Sequence, residues 1–97
     1  MGQAIEGGQV TYIAPTDVIG RDGATLSIDG IEIEFMYAPG EAPTGMHCYF
    51  PKFNTLHIAD NCYMCMHNVY TIRGAFPRDA LQWADSVARS LRFTETE

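Results

Sequence analysis

The sequence predicts an α/β domain of the α+β kind, a mostly antiparallel sheet of four to six strands followed by a C-terminal helix packed on it. Three observations predict this. Short β-prone runs separated by Gly, Pro and Asp fill the first half of the chain; an Asp29–Gly30 pair sits between two of them; and Pro77 precedes one stretch of helical period, Arg78 to Leu91. At 97 residues, with 46% hydrophobic and 19% charged content, the chain reads as one domain, residues 1–97. Burying roughly 60–70% of the unfolded surface supports one modest core.

Gln9 to Ala14 reads as a short strand ended by Pro15, and Thr16–Gly23 as the connecting loop. Ala24–Ile28 and Ile31–Tyr37 form a hairpin about Asp29–Gly30, because both residues of a tight two-residue turn need positive φ. In its second strand Ile31, Ile33 and Phe35 alternate with Glu32, Glu34 and Met36, which predicts a buried apolar face and a solvated Glu face. Ala38–Gly45 is a Pro- and Gly-rich loop whose only charge is Glu41. His47–Phe50 and Leu56–Ala59 read as two further strands joined by a Pro51–Thr55 turn. Asp60–Asn61 then caps a short helical or irregular stretch toward Tyr70. In the helix, Leu81, Ala84, Val87 or Ala88, and Leu91 mark the packed face, with Asp79, Gln82, Asp85 and Arg89 opposite. Phe93–Glu97 reads as a polar tail.

Charge and composition remove several function classes. The net charge is −6, and the six basic residues (Arg21, Lys52, Arg73, Arg78, Arg89, Arg92) are scattered, so no stripe follows a phosphate backbone and nucleic acid is not expected as a partner. No apolar run approaches the roughly 20 residues of a membrane span. MGQAIEGGQV has neither a basic start nor an apolar signal core, so a cytoplasmic location is the default expectation. Cys48, Cys62 and Cys65 are odd in number and form no disulfide framework.

The chemistry concentrates between Glu41 and Trp83. In order stand E-A-P at Glu41, Y-F-P at Tyr49, L-x-I-A-D ending at Asp60, H-N-x-Y-T-x-R-G-A from His67, and R-D-A-x-x-W from Arg78. In order and spacing this series resembles the alkyl sulfatases of the metallo-β-lactamase superfamily, over roughly residues 25–88. The resemblance implies a fold that is about half of an αββα sandwich. It also implies a binuclear zinc chemistry in which an upstream His-x-His-x-Asp-His motif supplies most ligands and two downstream carboxylates complete the pair. By motif position Glu41 and Asp60 match those carboxylates, though Asp60 stands where the family usually has Glu and is one methylene shorter. Otherwise Glu41 is a loop carboxylate and Asp60 a helix N-cap. The resemblance further implies that His67, Asn68 and Arg73 line the sulfate end of a pocket, an Arg fork and a nearby amide suiting a tetrahedral anion. The alternative is an Arg73 ion pair with Asp79 or Asp60 and an Asn68 that ties down a turn.

The His-x-His-x-Asp-His motif is absent, and His47, His57 and His67 are too widely spaced to replace it. A catalytic zinc needs about three protein ligands, so no autonomous metal pair and no cofactor in isolation is expected. Zinc would require a complementary chain carrying that motif. Cys62-x-x-Cys65 departs from the family; with His67, and His57 as a fourth ligand, it outlines an alternative zinc or thiol site, against the plainer reading of buried free thiols. A half-sandwich leaves an apolar sheet face uncovered, and a homo-oligomer, most simply a dimer, is the expected remedy. The function expected is a non-catalytic sulfatase-like domain that binds a small anionic or amphiphilic ligand. The alternatives are a partial hydrolase subunit and a cysteine-based module.

Overall fold

The computed structural model describes residues 11–94. Four strands form one antiparallel meander in the order β1-β2-β3-β4: β1 Thr25–Ile28, β2 Ile31–Tyr37, β3 Met46–Phe50 and β4 Thr55–His57. Helix α1 at Ala80–Ser90 follows, and a 3-10 turn at Leu91–Phe93 extends it. This is the α+β architecture that the turn signals and the lone helical period predict. Thr11–Ala14 carries no strand, and the start of the strand expected at Gln9 lies outside the described residues.

Asp29 and Gly30 close the first hairpin with φ of 51° and 75°, and the pairing runs without offset from Ile28↔Ile31 to Thr25↔Glu34. Pro51–Phe53 forms a 3-10 turn stopped by Asn54, whose φ of 45° turns the chain into β4; its side chain accepts the Tyr49 hydroxyl at 3.0 Å. No helix forms between Asp60 and Tyr70, and among the described residues no helix is long and apolar enough to cross a membrane.

Strand alternation gives the sheet two faces, and the helix covers the one expected to meet water. Met36 is fully buried beside its cross-strand partner His47, and Tyr49 stacks on Phe93 with centroids 4.7 Å apart. Met36, Ala38 and Phe93, with Tyr49 and Leu56 against them, make up the core. Glu34 shares that face and pairs at its margin with Arg92 at 3.2 Å. The correction has a simple cause: the first two strands alone show the Glu positions, while the residues beyond them, Met36 and Ala38, set where the helix lands. Phe93 is accordingly core rather than tail.

The helix also packs through a different stripe than its apolar period predicts. Leu81 is 84% exposed, and the buried positions are Trp83, Ser86 and Ser90. Small serines let the helix come close enough to bond directly: Ser86 Oγ donates to Pro39 O at 2.8 Å, and Ser90 Oγ meets His47 Nδ1 at 2.6 Å. Asp79 rather than Arg78 starts the helix, accepting from the Leu81 and Gln82 amides. Arg89 anchors its far end to Tyr37 O at 2.8 Å and to Asp22 at 3.5 Å.

With so few apolar side chains buried, each matters. Phe93→Ala removes the ring stacked on Tyr49 and is expected to cost about 3 kcal/mol or more of unfolding free energy, read as a lower urea midpoint with an unchanged slope.

Candidate functional site

The loop after β2 carries Glu41, and a buried amide holds that loop in place. Asn61 Oδ1 accepts the Glu41 amide at 3.2 Å, and Asn61 Nδ2 donates to Ala38 O and to His47 Nε2, both at 2.9 Å. Its backbone carbonyl accepts Trp83 Nε1 at 3.0 Å. One residue thus joins the β2 end, β3, the 61–77 segment and α1, the last through its backbone carbonyl. Gly40 is required beside it, because a Cβ there would collide with the Asn61 amide.

The network assigns a tautomer to His47. Nε2 faces an N–H donor and so carries no proton, while Nδ1–H donates to Ser90 Oγ, whose own proton goes to Ser86 O at 3.0 Å. Burial first, and then the charges of Arg89 and His57, hold the His47 pKa below the ordinary imidazole value of 6.5. Burial likewise pushes the Cys48 thiol up.

A cleft of about 530 Å³ opens between the Glu41 loop and the entry to α1, lined by Pro39, Glu41, Pro43, Phe76, Arg78 and Gln82 among others. Arg78 spans it. Its Nε donates to Glu41 O at 3.1 Å, one terminal nitrogen donates to Asn68 O at 3.2 Å, and the other lies 4.0 Å from the Glu41 carboxylate. Its backbone amide reaches Val69 O at 2.8 Å.

Against the residues singled out by sequence, the placement is mixed. Glu41 lines the cleft; Asp60 is exposed, does not line it and caps no helix. Asn68 Oδ1 accepts the Tyr70 amide at 3.1 Å in a local turn. Arg73 is exposed and, among the described residues, forms no ion pair; the Asp79 carboxylate is committed to the helix cap and Arg78 supplies the cation at Glu41. His67 lies between Tyr63 and Trp83, with centroids 3.9 and 4.4 Å away, and its Nε2 is buried without a hydrogen-bond partner among the described residues. Cys62 and Cys65 are exposed, not buried, because the 61–77 segment lies on the surface with no layer over it. Among the described residues no three His, Cys, Asp or Glu side chains converge as a metal ligand set, so Cys62, Cys65, His67 and His57 are not assembled.

Neither does the cleft suit a zinc pair. It offers two carboxylates, Glu41 beside a guanidinium and Asp79 bonded to two amides, where even one catalytic zinc takes about three protein ligands. The buried roles of His47 and Ser90 carry no sequence motif, and Asn61, expected with Asp60 as a cap, is instead a buried bridge; Arg78 and Trp83 were visible as the ends of R-D-A-x-x-W.

No protein-family model matches the chain. It is 42% identical over 93 residues to a linear primary-alkylsulfatase of a Pseudomonas species, and 42% identical over 85 residues to the alkyl/aryl-sulfatase BDS1 of Saccharomyces cerevisiae. A double mutant of the sec-alkyl sulfatase PisA1 superposes with a TM-score of 0.76 at 41% identity, over 84% of this chain. The chain is a partial match to the alkyl sulfatases. It covers 95% and 87% of its own length in the two sequence matches, yet spans only 14% and 13% of those alkylsulfatases and 13% of the PisA1 chain.

Two outcomes follow from the network of this alkylsulfatase-like segment. Asn61→Ala leaves the Glu41 amide, the Ala38 carbonyl and His47 Nε2 without their side-chain partner. At about 1–3 kcal/mol for each buried group left unsatisfied, the melting temperature falls sharply. His47 makes stability pH-dependent: with its folded pKa below 6.5, the unfolded chain binds the proton more tightly, so its contribution is complete above pH 6.5 and is lost as pH falls below that value. The slope of unfolding free energy against pH in that range is expected to flatten in His47→Gln.

Proposed function

We propose that the chain is an alkylsulfatase-like unit that is non-catalytic by itself and whose cleft takes a small amphiphilic anion. The observation that carries this reading is the make-up of the cleft: a guanidinium, Arg78, beside an apolar wall of Pro39, Pro43, Ala75, Phe76 and Pro77, with donors too few for a metal pair. Arg78 meets an anionic head by exchanging the Glu41 carboxylate, 4.0 Å away, for it, and the apolar wall matches a short alkyl chain. The names of the sequence relatives, alkylsulfatases in each case, support the same ligand class.

A second reading is favoured by the size of those relatives. Because the chain spans 14% of a linear primary-alkylsulfatase, it supports a role as one part of a zinc-dependent hydrolase, with Glu41 and Asp60 completed by histidines from a second polypeptide.

Octyl sulfate separates the two. The purified chain is expected to bind it, by calorimetry, and to release no inorganic sulfate with or without added zinc. Arg78→Met is expected to weaken binding by about tenfold, as loss of one charge-assisted contact worth roughly 1.4 kcal/mol implies. Sulfate release by the lone chain would refute the first reading; release only on adding a histidine-bearing partner would establish the second.

A further inference from the structure

His47 does not line the cleft, yet its imidazole decides how the loop that carries Glu41 is held. The side chain is fully buried, with Nδ1 2.6 Å from Ser90 Oγ and Nε2 2.9 Å from Asn61 Nδ2. The same Asn61 amide reaches the loop twice: Nδ2 donates to Ala38 O at 2.9 Å, and Oδ1 accepts the Glu41 N–H at 3.2 Å. Every one of these contacts pairs a donor with an acceptor only while Nε2 is bare. We infer that His47 is a proton-operated latch: a proton gained at Nε2 displaces the Asn61 amide and frees the Glu41 loop.

Counting donors and acceptors leaves the network no other way to absorb the proton. A protonated Nε2 faces Asn61 Nδ2, so two donors meet at hydrogen-bond distance. Turning the amide over offers Oδ1 to Nε2–H, but it sets Oδ1 against Ala38 O and Nδ2 against the Glu41 N–H, exchanging one conflict for two. Nδ1 is already protonated toward Ser90 Oγ, whose own proton goes to Ser86 O. The loop is the part that yields, because its remaining anchors lie elsewhere: Ser86 Oγ on Pro39 O at 2.8 Å and Arg78 Nε on Glu41 O at 3.1 Å. The Trp83 indole keeps the Asn61 carbonyl throughout, so the helix stays docked.

The charges around the ring set the direction. From α1 it is faced by Arg89, which is paired with Asp85 and with Asp22, and from β4 by His57; on β2, Glu34 shares the helix-covered face and is paired with Arg92. Among the described residues no carboxylate pairs with His47. Burial and the two basic groups hold its proton affinity below the ordinary imidazole value of 6.5, so the latch is closed at neutral pH and opens in mild acid.

Nitrogen-15 NMR of the full chain between about pH 8 and about pH 5 tests this, with far-ultraviolet circular dichroism read on the same samples. The His47 ring is expected to titrate below 6.5. With the same midpoint the Glu41 amide loses roughly tenfold in protection against hydrogen exchange, while the β2 and β3 amides and the dichroism spectrum hold. His57→Gln keeps this transition and His47→Gln abolishes it. Should His47→Gln fail to fold, the wild-type midpoints and His57→Gln decide. The inference is overturned by a ring that takes no proton above about pH 5, or by Glu41 protection that stays level while His47 titrates. A transition that survives His47→Gln, one that vanishes in His57→Gln, or loss of the sheet in the same step overturns it equally. No arm of the test uses octyl sulfate, so the latch stands or falls apart from the ligand of the cleft.

Discussion

The polar docking of the helix and the Glu41 loop onto the sheet centres on the buried amide of Asn61. A four-stranded meander and one helix can each form from local preferences, but their docking needs a polar group in the seam between them, because the loop backbone there cannot be paired by strands. Asn61 satisfies the Ala38 carbonyl, the Glu41 amide and His47 Nε2 with one side chain, and the Trp83 indole with its carbonyl. Buried polar groups stabilise when every member is paired and cost dearly when one is not. The helix therefore seats in one place, where Ser86 and Ser90 also find their acceptors.

That dependence on polar docking reflects a small apolar core. Among the described residues five hydrophobic side chains are buried, while ones as large as Met64, Ile72 and Phe76 are almost wholly exposed. In ordinary monomers such residues are distributed singly; here they flank one segment, and a second apolar surface lies across the sheet. The matched alkylsulfatases are several times longer than this chain, which places the same meander in a much larger molecule.

The arrangement around Glu41 shows why a motif in order is not a site in space. Glu41 and Asp60 stand at matching positions in the series that resembles the alkyl sulfatases, yet the nearest cation to Glu41 is Arg78, and Asp60 projects from an exposed turn. Arg78 instead acts as a strap, bonding the Glu41 and Asn68 carbonyls across the cleft. Arg73, five residues earlier and favoured by the motif, stays in solvent.

Local chemistry was legible in the chain itself. Positive φ at Asp29 and Gly30 follows from which residues tolerate it, the strands follow from β-prone runs between turn residues, and Pro77 announces the helix. Motif order also pointed to the alkyl sulfatases. What the residues could not disclose was which side of each element would be covered. An apolar stripe at Leu81 and Leu91 lost to Trp83, Ser86 and Ser90, and the Ile face of β2 lost to Met36 and Ala38. Periodicity measures how greasy a face is, whereas docking is decided by hydrogen bonds between residues as far apart as His47 and Ser90, a partnership that only three-dimensional proximity creates.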